Sequence, residues 1–333
     1  MLKAGIIGTG FIGNAHAEAY HNANNAELVA LVDVNEETGK KAAEKHNVKY
    51  YKDAEQMLKS EEIDIVDICL PTFLHEEYVM LAAKYKKHII CEKPFTLTVE
   101  SAQRMIDATK QAGVKFMIAQ VIRFWPEYAV IKDYFDEDKI GDLKMVYANR
   151  LAQHPNWTVW HKDPKKSGGG LFDLHLHDID YMCYLFGKVE SVYAMGWQSE
   201  TGCWNHVMSN IKFKNGKFAV VEGAFDMTEN YPFTMSFRAV GSEGTINYNF
   251  VAGFNLENVG GATRNTVYFK NGQEPDVLKI EEYDAYQKEI EYFADCIIND
   301  NPIEVVSPED SKDVLTVIQA IQKSLETGEL VTL

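Results

Sequence analysis

Residues 3–13 read Lys-Ala-Gly-Ile-Ile-Gly-Thr-Gly-Phe-Ile-Gly. A short apolar run leads into G-x-G-x-x-G at Gly8, Gly10 and Gly13, and an amphipathic stretch comes next. Placed between a strand and a helix, this spacing has a physical purpose. The first glycine allows the tight turn, the second lets the backbone approach a pyrophosphate, and the third lets the helix pack on the strand. The helix start, just past Phe11 and Ile12 of the cofactor loop, then turns N–H groups and a partial positive charge toward phosphate. Asp33 closes the next apolar run about 20 residues on, where a carboxylate would take a ribose diol. A carboxylate there repels a 2′-phosphate, and Val34 and Asn35 supply no cation, so NAD is expected and NADP disfavoured.

Outward from this stretch the same grammar repeats. Short Val- and Ile-rich runs at 3–8, 27–33, 64–70, 88–92 and 115–119 read as strands buried on both faces. Helical patterns at 13–21, 36–46, 74–85 and 99–112 separate them, which implies a doubly wound parallel sheet. Beyond about residue 122 the pattern changes to longer alternating strands at 143–150, 189–198, 207–214, 218–227, 234–240 and 245–249. These predict a large, mostly antiparallel open sheet. Helices at 174–185, 283–298 and 308–325 are expected to cover one face of it. The fold class is therefore α/β: a dinucleotide-binding domain over 1–121, then a substrate-binding and oligomerisation domain over 122–333.

Composition narrows the function classes. The chain has 333 residues with a net charge of −16, which opposes nucleic acid and anionic membrane surfaces. No apolar stretch is long enough to span a bilayer. The five cysteines are scattered, odd in number and without a C-x-x-C, so reduced thiols in a cytoplasmic setting are expected.

Two further segments carry chemistry. Cys91-Glu92-Lys93-Pro94 lies just past the fourth strand run, at the sheet end where α/β proteins bind ligands, and Lys93 can donate to a substrate or cofactor oxygen there. The bland alternative is a surface lysine before a helix. Residues 167–180 run Ser-Gly-Gly-Gly-Leu-Phe-Asp-Leu-His-Leu-His-Asp-Ile-Asp. On a helix Asp173, His177 and Asp180 share one face, while His175 and Asp178 point elsewhere. A histidine titrating near neutrality can take an alcohol proton as hydride leaves the same carbon. Its bland alternative is a capping aspartate with a core histidine. No metal site is expected, because His175 and His177 diverge on a helix and lack a third ligand nearby. Trp157, Trp160 and His161 precede the glycine run and either wall a substrate pocket or belong to the core, and His154 is equally open.

In combination, the loop Gly8–Gly13, Glu92-Lys93-Pro94 and the GGG-x-x-D-x-x-x-H segment resemble the Gfo/Idh/MocA oxidoreductases, the relatives of glucose–fructose oxidoreductase and inositol dehydrogenase. The resemblance runs in order along the whole chain. It implies NAD-dependent hydride transfer at a hydroxyl-bearing carbon of a sugar, inositol or derivative. It implies Lys93, Asp173 and His177 as the catalytic set: His177 as acid/base, Asp173 as its partner, and Lys93 as donor to the substrate oxygen. Leu70, Pro71, Thr72, His75 and Glu92 would lie along the cofactor, Arg123 near the nicotinamide or substrate, and Trp160 at the substrate. A homodimer or homotetramer through the second sheet is also implied. His175 is less usual in the family pattern. Two other readings on the same fold are an NAD-dependent glycoside hydrolase that oxidises its sugar transiently, and a non-catalytic cofactor-sensing regulator; the latter is disfavoured because all three catalytic positions are filled.

Overall fold

The computed structural model describes residues 1–154, 159–253 and 260–333, so Trp157 lies outside the described residues. The chain divides into two compact units, Met1–Trp125 with Glu282–Lys312, and Pro126–Glu281 with Asp313–Leu333. The first division falls four residues beyond the expected border at 121/122. Residues 282–312, expected over the second sheet, pack instead in the first unit. The helix Ala285–Ile298 lies beside the helix Phe11–Asn22 there, and Asn25 Nδ2 donates to the Glu291 carbonyl at 2.9 Å.

In the first unit, β1 (Leu2–Ile7), β2 (Ala26–Val32), β3 (Lys49–Tyr51), β4 (Ile65–Ile68), β5 (His88–Glu92) and β6 (Phe116–Ala119) form a parallel sheet in the order β3-β2-β1-β4-β5-β6. The order reverses between β1 and β4, and such a switch point opens a crevice at the strand ends. Central strands are buried on both faces, with Ile6, Ile65, Val66, Ile68, Ile89 and Ile90 fully enclosed. Their continuous apolar sequence results from that burial. Helix starts are set by side-chain caps: Asn35 accepts from the amides of Glu37 and Thr38, and Thr98 from that of Ser101.

In the second unit, the described residues form a nine-stranded sheet. Its strands are β7 (Leu143–Leu151), β8 (Val189–Gln198), β9 (Trp204–Phe213), β10 (Phe218–Ala224), β11 (Thr234–Gly241), β12 (Gly244–Val251), β13 (Thr263–Lys270), β14 (Asp276–Val277) and β15 (Val331–Thr332). The order is β14-β13-β12-β11-β7-β10-β9-β8-β15, antiparallel except for the β7–β10 pair. Alternation separates the faces. Val146, Ala148, Val207, Ile211, Val221, Phe237 and Ile246 point inward, while Met195, Trp197 and Met208 are exposed on the other side. The helix Leu176–Phe186 packs on the inner face, where the Tyr181 hydroxyl donates to the Tyr128 carbonyl at 2.6 Å. No helix among the described residues is long and apolar enough to cross a membrane. All five cysteines are free.

Candidate active site

The glycine loop joins β1 to the helix Phe11–Asn22. Gly8 sits at φ +101°, and a Cβ there would meet the Cys69 carbonyl oxygen at 2.4 Å. A Cβ on Gly13 would reach the Gly8 carbonyl oxygen at 2.0 Å, so both positions demand glycine. Gly10 caps the helix with no side-chain acceptor and has open space above it. The loop is braced from within by Asn14, whose Nδ2 donates to the carbonyls of Thr9 (2.7 Å) and Gly10 (3.0 Å).

Asp33 lies at the C-terminal end of β2. Its Oδ2 accepts from the Thr9 amide (2.9 Å) and hydroxyl (2.5 Å), and its Oδ1 from the Asn35 amide (2.8 Å). A carboxylate offers about four acceptor positions, so one remains for a ribose hydroxyl. An uncapped helix start, a glycine-lined approach and a fixed carboxylate fit the pyrophosphate and ribose of NAD. Thr9 and Asn14 complete this loop, yet sequence reasoning had no role for them; the bonds of Thr9 to Asp33 only exist once β1 and β2 are side by side.

The other residues expected on the cofactor lie at or beyond the ends of β4, β5 and β6. Leu70 and Pro71 are partly open, as is Lys93. Thr72 and His75 are buried and offer no face to a ligand. His75 Nδ1 lies 3.0 Å from the Pro94 carbonyl oxygen and 3.3 Å from that of Phe95, and Nε2 lies 2.8 Å from that of Leu70. Burial lowers its pKa, outweighing these carbonyls, so the ring is a neutral brace. Glu92 is buried too, with Oε1 3.0 Å from His16 Nε2. Arg123 is buried and donates to the Val305 carbonyl at 2.5 Å.

In the second unit the glycine run enters a single wide π-turn, Leu171–His175, before the regular helix begins at Leu176. Such turns insert a residue into the helical period and recur at functional sites. Of residues 171–182, only Asp173 and His177 are not buried. Asp180, expected on their face, is enclosed. The other polar residues of the segment are anchors. His175 Nε2 lies 2.8 Å from the Ser209 hydroxyl on β9, and a Cβ on Gly223 of β10 would stand 2.6 Å from His175 Nδ1. Burial pushes the His175 pKa down to about 3, helped by His206, so it is neutral. Asp178 accepts from Arg150 Nε at 2.9 Å and Nη2 at 3.2 Å. Burial raises the Asp178 pKa against the pull of that guanidinium.

Asp173 has a neighbour the sequence left undecided. His161 Nε2 lies 3.8 Å from Asp173 Oδ2, and the Trp160 ring stacks on His161 at 3.8 Å between centroids. Trp160, His161 and Asp173 thus form one partly open cluster, whereas His154 lies 6.3 Å from the Phe225 ring.

Residues 2–120 match the oxidoreductase family with an NAD-binding Rossmann fold, GFO_IDH_MocA, and residues 128–247 match the GFO/IDH/MocA C-terminal domain. The chain belongs to this family. It is 29% identical to the myo-inositol 2-dehydrogenase of Thermotoga maritima, over 100% of this chain and 98% of that protein. It is 30% identical to oxidoreductase P35 of Formosa agariphila, over 65% of this chain and 70% of that one. Levoglucosan dehydrogenase, solved with NADH and levoglucosan, superposes with a TM-score of 0.83 at 28% identity, covering 99% of each chain. This GFO/IDH/MocA protein is an enzyme, an NAD-dependent oxidoreductase acting on a CH–OH group.

Proposed function

We propose that the enzyme interconverts a hydroxyl and a carbonyl on a sugar, an inositol or a sugar derivative, with His177 as acid/base, Asp173 as its partner and Lys93 as donor to the substrate oxygen. The observation that carries this reading is the selective opening of the segment 171–182. Its other polar residues, His175, Asp178 and Asp180, are buried, and only Asp173 and His177 reach the surface. The relatives that act on myo-inositol and levoglucosan support the substrate class.

NAD, when bound, accepts or returns a hydride. An imidazole nitrogen of His177 takes the hydroxyl proton as hydrogen leaves the carbon, which avoids a free alkoxide. The Asp173 carboxylate stabilises the imidazolium so formed. The Lys93 ammonium donates to the substrate oxygen and stabilises charge there. Trp160 offers an aromatic surface to the apolar face of a sugar ring. We assign the enzyme to the cytoplasm, in keeping with five free thiols, and to a homodimer or homotetramer through the open face of the second sheet. That face exposes Met195, Trp197 and Met208, more apolar surface than a solvated sheet needs.

The test is a screen of polyols, inositols, aldoses and glycosides with NAD, and with NADP in parallel, read by NADH fluorescence. Reduction of NAD by one cluster of polyhydroxy compounds is expected. NAD binding with no turnover in either direction across hydroxyl and keto forms would overturn the assignment.

A further inference from the structure

The first unit holds a fully buried polar network that the proposed chemistry does not use. His16 lies on the helix Phe11–Asn22, the helix whose start forms the phosphate loop. Its ring is enclosed, with Nδ1 2.9 Å from Asp67 Oδ2 on β4 and Nε2 3.0 Å from Glu92 Oε1 at the end of β5. The second oxygen of Glu92, Oε2, accepts the backbone N–H of Lys93 at 3.1 Å. The Cys69 thiol donates to Asp67 Oδ1 at 3.4 Å. Tyr20 from the same helix and Tyr286 from the helix Ala285–Ile298 close the remaining sides, the Tyr286 ring 5.2 Å from that of His16.

We propose that His16 is a positioning residue for the reaction: by holding the Glu92 carboxylate it fixes the backbone, and hence the ammonium, of Lys93. This rests on the reading of Lys93 as the donor to the substrate oxygen. Packing a helix on a sheet needs only apolar side chains. Two carboxylates buried beside an imidazole cost several kcal/mol each unless paired. Here the pairing is complete, and its end point is the peptide N–H of the residue that meets the substrate. The loop is held on its far side as well, where His75 faces the carbonyls of Pro94 and Phe95. A neutral ring has one N–H and can donate to only one side, so the bond through Glu92 carries the orientation. The ligand atoms of His16, Asp67 and Cys69 lie within 4.8 Å of one another, a spacing that would also suit a cation. Burial holds the Cys69 thiol protonated and a donor to Asp67, which favours the hydrogen-bonded network.

The experiment is a double-mutant comparison of His16→Asn, which keeps a donor in the place of Nδ1 toward Asp67 and removes the one toward Glu92, with Lys93→Met and both together. It reads NADH affinity, kcat, and amide hydrogen exchange at Lys93 by NMR. In His16→Asn, exchange at Lys93 is expected to speed up about tenfold and kcat to fall about tenfold, the loss of one charge-assisted hydrogen bond, with NADH affinity within about twofold. In the Lys93→Met background the same change is expected to alter residual kcat less than about twofold, because the interaction is shared. An equal loss of kcat in both backgrounds would make His16 merely structural and overturn the proposal. So would unchanged exchange and turnover in a folded His16→Asn enzyme. If that variant does not fold, Glu92→Gln, which keeps shape but loses charge, gives the same readouts. Normal turnover by Lys93→Met alone removes the role of Lys93 and, with it, this proposal, while leaving the exchange result to report on the network.

Discussion

Of the three completely buried histidines, His16, His75 and His175, the first and the last are shifted in opposite directions. His16, in the first unit, sits between the carboxylates of Asp67 and Glu92; burial works against its proton, yet Asp67 raises its pKa well above 6.5. His175, in the second unit, faces the Ser209 hydroxyl and the bare backbone of Gly223, and burial drives its pKa down to about 3. Burial alone therefore does not set the state of a histidine. The partner does: a carboxylate keeps the proton, a hydroxyl lets desolvation remove it. His177, two residues beyond His175, is the partly open case, as the acid/base role proposed for it requires.

The largest expected effect separates the open histidine from the buried ones. His177→Ala should lower kcat by about 10²–10⁴, the usual worth of a general base, with NADH affinity unchanged. His175→Asn, which changes an enclosed position and leaves Asp173 and His177 in place, should keep most of its activity. Equal losses in the two variants would erase the distinction drawn here.

Next in size is the pH dependence of stability. The folded pKa of His175 lies below its unfolded value, so its contribution is present above pH 6.5 and lost as pH falls toward 3. The slope is about 1.4 kcal/mol per pH unit for one proton. His16 runs the other way: its contribution is full below about pH 6.5 and is lost as pH rises through its elevated folded value. Urea unfolding from pH 4 to 9 should show His175→Asn flattening the acid limb and His16→Gln the alkaline one. Swapped limbs would break the comparison.

A smaller effect sharpens the packing half. Gly223→Ala places a methyl 2.6 Å from His175 Nδ1 and should destabilise by about 1–3 kcal/mol. In a His175→Ala background part of that cost should vanish, since the ring atoms at 2.6 and 3.0 Å are removed while the Cβ at 2.9 Å stays. A cost that persists in full would place the strain elsewhere.

Legibility in the sequence tracks the range of the interactions. The loop Gly8–Gly13 and Asp33 were legible because phosphate and ribose binding impose local spacing. The first sheet was legible from its continuous apolar runs, and the longer strands of the second from their alternation. The three-residue β3 was missed because it is too short to show a period, and β13 (Thr263–Lys270) was missed because its apolar residues are consecutive and do not alternate. The return of Glu282–Lys312 to the first unit left no local sign, since an amphipathic helix does not name the surface it covers. In the candidate site, Asp173 and His177 were found by helical spacing, but the π-turn that sets their phase was not. His16 was invisible because its partners lie 51 and 76 residues away along the chain. His161 showed only as an aromatic neighbourhood until the fold set it against Asp173.

The most direct test of the central claim tracks the hydride itself. The enzyme would be incubated with NADH deuterated at C4 and a pool of keto-sugars and keto-inositols, and the alcohols formed would be read by mass spectrometry. One product should gain a single deuterium with the wild-type enzyme, and the gain should fall at least about a hundredfold with His177→Ala. Bound cofactor with no labelled product, or labelling undiminished in His177→Ala, would contradict it.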